Sequence, residues 1–180
     1  MKAAAIRWLD GLALLSVSAV LWFAFAWQLW LHELPCPMCL LQRAAFAMVG
    51  VALLMNLRFG IRPLHYGFAV LSALAGAVSA GRQVLMHIAP GDTGFGSPFL
   101  GMHFYTWALV AFFLLLVYCG LMLMSDAVDE EVRPRRLDAL GRMAAVAFLS
   151  ILIINLVSTA LECGLGPCPD NPTEYQLLPD

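Results

Sequence analysis

Residues 104–124 read FYTWALVAFFLLLVYCGLMLM, a run without one charged side chain. The hydrocarbon core of a bilayer takes about 20 apolar residues as a helix, so this stretch by itself sets the class. Working outward, residues 64–88 and 143–161 flank it, and residues 38–57 and 8–31 complete a set of five comparable runs. Inside hydrocarbon every backbone N–H and C=O needs an internal partner, which leaves helices or closed barrels. Continuous apolar runs of this length are helices, because barrel strands are short and alternate. The reading is an all-α membrane protein. Composition agrees: 62% of the 180 residues are hydrophobic and 12% charged, with a mean hydropathy of +0.82. Soluble domains run near half apolar and a quarter charged. A net charge of −2 without any basic run gives no footing for a nucleic-acid partner, and none is expected.

The N-terminus imitates a signal peptide, with Lys2 and Arg7 ahead of an apolar run and an Ala24-Phe25-Ala26 triplet. The run continues to Leu31, longer than the roughly 7–15 residues of a cleavable segment, so it is read as a retained first helix. Basic residues in short loops then orient the chain. Lys2 and Arg7 precede helix 1, Arg58 and Arg62 separate helices 2 and 3, and Arg133, Arg135, Arg136 and Arg142 separate helices 4 and 5. With five spans all eight share one side, leaving only Arg43 and Arg82 near the other. The expectation is a cytoplasmic N-terminus and an outward C-terminus, a bundle over residues 1–161 and an outward tail over residues 162–180. Trp27, Trp30, Tyr105 and Trp107 fall near the outer face, as an interfacial aromatic belt would. The outer loop, residues 89–103, is too short and too rich in glycine and proline to be a domain. The acidic-then-basic stretch 126–142 reads as a solvated connector, and the tail from Asn171 to Asp180 as either disordered or a docking segment.

Four of the five cysteines land on the outward side. That placement suits disulfides, which persist in oxidising compartments. It is an independent check, since the topology came from lysines and arginines alone. Cys36 and Cys39 open helix 2 around Pro37, a residue that fits the first helical turn. Unpaired amides and the helix dipole there favour thiolate over thiol, and the C-x-x-C spacing lowers a thiol pKa further. Cys36, Cys39 and Arg43 share one helical face. An arginine this close to the membrane is costly unless it is paired or used, which makes Arg43 a functional candidate. Three readings of the pair stay open: a redox centre, a structural staple with Arg43 snorkelling to headgroups, or a metal site. Metal is the weakest and none is expected, since Cys163 and Cys168 are spaced C-x₄-C in a Gly/Pro-rich segment, with only His32 and His87 nearby. Cys119, deep in helix 4, reads as a small buried hydrophobe.

At Leu34-Pro35-Cys36-Pro37-Met38-Cys39-Leu40-Leu41-Gln42-Arg43 the chain resembles the DsbB family of quinone-dependent disulfide-forming membrane proteins. The similarity extends over four helices, through Gly81-Arg82-Gln83 and Phe99-Leu100-Gly101 to Trp107. What the resemblance implies is a DsbB-like four-helix transmembrane bundle in a bacterial inner membrane, holding a quinone (ubiquinone or menaquinone) beside the C-x-x-C pair. It implies that electrons pass from a periplasmic, DsbA-like thiol oxidase to the protein and on to the membrane quinone pool. Cys36 and Cys39 would be the quinone-proximal pair, with Cys39 supplying the thiolate. Arg43 would support quinone binding, with Gln83 and Arg82 as weaker candidates.

The departures are as informative. The family carries a second, partner-facing cysteine pair in the outer loop between helices 3 and 4, whereas residues 89–103 contain no cysteine. The chain adds a fifth transmembrane helix and ends with Cys163 and Cys168 on the same outer side. The tail pair is therefore read as replacing the missing shuttle disulfide, in a segment whose glycines and prolines suit an exposed loop. A mere staple for the tail is the alternative. Two other functions compete with a thiol oxidase: an accessory membrane scaffold with structural disulfides, and a reductase running the relay toward substrate thiols.

Overall fold

In a computed structural model of the chain, which describes residues 3–125, 134–164 and 166–178, five helices form an antiparallel bundle. They are α1 (Ala3–Leu31), α2 (Pro37–Phe59), α3 (Pro63–Met86), α4 (Phe104–Leu123) and α5 (Ala139–Cys163). Each is long and apolar enough to span a membrane. The chain is thus a multi-pass helical membrane protein, as its apolar runs require. Large apolar side chains such as Val78, Leu71, Val117 and Leu156 stand exposed around the bundle, where a bilayer and not water must meet them.

Local chemistry sets the helix ends. Cys36 caps α2, its sulfur accepting from Cys39 N at 3.2 Å with Pro37 in the first turn. Gly60 ends α2 at φ 107, and Pro63 starts α3 almost at once. Asp138 caps α5 by accepting from Gly141 N at 2.7 Å. Packing follows membrane rules, in which helices associate through close van der Waals fit and interhelical hydrogen bonds. Gly76 of α3 lets Phe112 of α4 approach so closely that a Cβ would sit 2.2 Å from its ring. Phe112 stacks in turn on Phe46 of α2, with centroids 4.0 Å apart. α5 packs along α1, where Trp22 Nε1 donates to Ala147 O at 3.1 Å.

The two ends of the bundle differ. At one end, buried Asp10 of α1 accepts from Tyr66 of α3 and from Tyr118 of α4, at 2.9 Å and 2.6 Å. Nearby, Asn56 accepts from the Arg62 backbone and pairs with His65. Arg58 and Arg135 exchange hydrogen bonds, so residues 134–138 dock on the end of α2. Lys2, Arg133 and the rest of residues 126–133 lie outside the described residues. At the opposite end gather the α1–α2 turn, the loop before α4 and the tail. Ser97 donates from both its backbone and its hydroxyl to Glu33, and Tyr175 meets Gln28. The tail folds back through Leu177 N to Leu161 O at 3.0 Å.

Candidate functional site

All four cysteines outside α4 are paired as Cys36–Cys39 and Cys163–Cys168, and Cys119 is a free, buried thiol. Cys36 is 6% exposed, while Cys39 reaches the wall of a cavity of about 370 Å³. That volume lies in the range of small-molecule sites. The cavity lies between α1 and α4, floored by Cys39, Gln42, Arg43 and Phe46 of α2 and roofed by Glu33 and the loop residues Phe95 and Phe99. Its walls are mostly apolar and aromatic. Phe23, Trp27, Phe99 and Phe104 pack as one ring cluster with centroids 4.9–6.3 Å apart. Trp107 braces the roof by donating to Phe99 O at 3.0 Å. Of the aromatic residues expected in an interfacial belt, only Trp30 stands largely exposed, at 76%, its ring edge-on to Trp27. Trp27, Tyr105 and Trp107 instead line the cavity, because the gap between α1 and α4 needs bulk that the sparse α1–α4 packing does not give.

Two glutamines from different helices meet behind the sulfurs, and one of them donates to sulfur. Gln42 Nε2 donates to Gln83 Oε1 at 2.8 Å, which fixes the Gln83 amide with its NH₂ turned the other way. That NH₂ lies 3.3 Å from Cys36 Sγ and 3.8 Å from Cys39 Sγ. Gln83 therefore sits behind the disulfide and is not part of the cavity wall. Arg82 is exposed and also outside that wall.

Arg43 does not snorkel outward. Its guanidinium donates to Gln28 Oε1 at 2.7 Å, to Asn155 Oδ1 at 3.2 Å and to Ala24 O at 3.3 Å. Gln28 in turn donates to Ser158 Oγ at 3.1 Å and to the Tyr175 hydroxyl at 2.8 Å. Glu162, fully buried and with both carboxyl oxygens unpartnered among the described residues, interacts electrostatically with Arg43. Gln28, Asn155, Glu162 and Tyr175 escaped the sequence reading. The first three carried a visible signal, being polar or ionisable residues inside or at the end of apolar spans.

The tail pair stands at the other pole of a helix. Cys163 ends α5 and is 6% exposed, and Cys168 is the more accessible of the two. Gly164 follows at φ 60, with the tail so close that a Cβ would lie 3.1 Å from Gln176 Oε1. On the loop before α4, Asp92 accepts from Gly94 N at 2.7 Å and pairs with His87. The Gly94 N–H and the His87 ring hold its carboxyl below the usual carboxylate range. Gly94 itself, at φ 69, leaves no room for a Cβ beside the His103 ring. Among the described residues no group of three His, Cys, Asp or Glu converges as metal ligands would.

The residues present fit a quinone. A flat apolar ring with two carbonyl oxygens needs apolar walls and hydrogen-bond donors. Arg43 supplies one set of donors, and Trp27 has a buried indole N–H with no partner among the described residues.

Comparison with known proteins points the same way. A family model described as Disulfide bond formation protein DsbB matches residues 6–96. The chain is 36% identical over 76 residues to Disulfide bond formation protein B of Nitrosomonas eutropha, covering 40% of this chain and 47% of that relative. Against Disulfide bond formation protein B of Pseudomonas syringae pv. tomato it is 33% identical over 123 residues, covering 48% and 71%. Against Disulfide bond formation protein B 2 of Burkholderia lata it is 28% identical over 143 residues, covering 62% and 83%. The first match thus spans about half the length of the relative, and no solved structure matches the chain. With a family match over half its residues and a C-x-x-C pair set at the N-terminus of α2, this chain belongs to the DsbB family.

Proposed function

We propose that the protein is a membrane thiol oxidase, which reoxidises a thioredoxin-like, DsbA-type dithiol partner on the periplasmic side of the inner membrane and passes the electrons to membrane quinone. The observation that carries this reading is the cavity beside Cys39, apolar-walled and furnished with Arg43. A bound quinone would accept two electrons and two protons there. The remaining steps belong to the chain. A partner thiolate attacks the tail disulfide, and burial of Cys163 directs that attack to Cys168. The partner's second thiolate resolves this mixed disulfide, so the partner leaves oxidised and the tail pair is reduced. The Cys163 thiolate then attacks Cys36–Cys39 and the Cys168 thiolate resolves the new mixed disulfide, so the tail disulfide re-forms as the α2 pair becomes two thiols.

Helix polarity supports this direction of flow. The Cys36–Cys39 pair sits at an N-terminus, where amides and dipole stabilise its thiolates, and the Gln83 NH₂ adds a donor. Cys163 sits at a C-terminus, where carbonyls disfavour thiolate. The pair with the better-stabilised reduced form is the stronger oxidant, so electrons run from the tail to α2. Arg43, held from behind, presents donors to a quinone carbonyl.

The test is quinone reduction by the full-length protein given a reduced thioredoxin-like partner, with Cys39→Ser beside the native chain. Turnover that vanishes in the variant, on the order of a 10³-fold loss or more, is the expected result. A native chain inert toward several partners and quinones would replace the oxidase with the scaffold reading.

A further inference from the structure

α5 and the tail lie beyond the matched family region, yet α5 supplies Asn155, one of the three hydrogen-bond partners of Arg43, and Ser158 of α5 and Tyr175 of the tail fix Gln28, another of them. Arg43 can only donate, so Gln28 must turn its oxygen toward it and its NH₂ toward α5 and the tail. Tyr175 is the shorter of the two partners of that NH₂, at 2.8 Å against 3.1 Å for Ser158. Tyr175 stands on a segment reversed against the end of α5 by the Cys163–Cys168 link, the Leu177–Leu161 hydrogen bond and the close approach of Gln176 to Gly164. An unbroken path therefore runs from the tail disulfide through Tyr175, Gln28 and Arg43 to the cavity wall.

We infer that Tyr175 is a positioning residue for Arg43, and that through it the redox state of Cys163–Cys168 sets how firmly the cavity holds a quinone. The inference rests on the proposed function and deepens it. When a partner dithiol transfers two electrons and two protons to the tail, the partner closes its disulfide and the tail becomes two thiols. The reversed segment then loses its covalent tie, Tyr175 leaves Gln28, and Arg43 loses preorganisation, which weakens binding. Once the tail passes its electrons to Cys36–Cys39 its disulfide re-forms and Arg43 is held again. The cycle is thereby ordered: the cavity grips quinone best when the α2 pair is reduced and the tail is oxidised.

The experiment measures affinity for a short-chain decylbenzoquinone by quenching of tryptophan fluorescence, since Trp27 and Trp107 line the cavity. It uses the full chain in detergent or nanodiscs, so it does not depend on turnover. Tyr175→Phe, which removes one hydroxyl, should weaken binding about three- to tenfold, the worth of one hydrogen bond, with an unchanged thermal midpoint. Cys163→Ser/Cys168→Ser should weaken it by a similar factor, and combining it with Tyr175→Phe should add nothing further. Tyr118→Phe, at the far end of the bundle, should bind as the native chain does. Native affinity in Tyr175→Phe, or effects of tail and tyrosine that multiply, would overturn the inference while leaving the cavity reading intact. Failure of the native chain to bind the probe would overturn both.

Discussion

The two disulfides of this chain are built on opposite ends of helices, and nearly everything that distinguishes them follows from that. Cys36–Cys39 opens α2, with a backbone N–H and a glutamine NH₂ directed at its sulfurs and a cavity at its side. Cys163–Cys168 closes α5, one sulfur buried against the helix end and the other on a glycine- and proline-rich segment. Short-range cysteine spacing makes them look alike; the electrostatics of the helix poles make them unlike. In the proposed relay one pair holds negative charge, while the other is attacked from outside and gives its electrons up.

The largest test of this contrast is deletion of the tail pair. Cys163→Ser/Cys168→Ser should abolish oxidation of a protein dithiol while quinone still binds, though more weakly. Loss of about 2–3 kcal/mol of stability with undiminished turnover would mean that the pair is a staple only. Next in size is the redox equilibrium between the pairs. Helix-pole effects of about 0.3–1 kcal/mol at each of the two poles and charged hydrogen bonds of about 1.5–3 kcal/mol together amount to roughly 2–5 kcal/mol. At about 30 mV per 1.4 kcal/mol, Cys36–Cys39 should be more oxidising by about 40–110 mV. Titration against a thiol buffer with mass-spectrometric readout measures this, and equal potentials would undo the proposed direction of flow.

Gln83→Leu sharpens the comparison from one side. It removes the NH₂ behind the α2 sulfurs and should lower the potential of that pair by about 30–65 mV, from the same hydrogen-bond range. The tail pair should not move; if both potentials shift together, Gln83 acts through the fold. Smallest is Arg43→Lys, which keeps the charge but loses the planar fork. Quinone affinity should fall about tenfold at unchanged potentials of both disulfides, and a shifted Cys36–Cys39 potential would reassign Arg43 to the sulfurs.

Much of this architecture is written locally. Spans are legible because a bilayer imposes one length and one polarity on each helix, so 104–124 needs no neighbours to be read. Pro37 and Cys36 announce a helix start by their own geometry. Arg43 stood out because a buried cation demands a reason. Gln83 and Arg82 show where such reading ends. They are adjacent, both polar and on the same helix, yet one is buried against sulfur and the other exposed. Only the rotation of α3 about its axis, fixed by Gly76 accepting Phe112, separates them.

The sequence by itself determined five spanning helices, the cysteine pair at the start of α2 and the absence of a cysteine pair from the loop before α4. These depend on residue type and on spacing along one chain segment. Tertiary structure alone decided that a gap between α1 and α4 becomes the cavity, and that three of the four belt aromatics wall it. It alone decided that Asn155, Glu162 and Tyr175 converge on an arginine more than a hundred positions away. Hydrogen bonds and charges act through distance in space, and no spacing in the chain encodes which helix faces will meet.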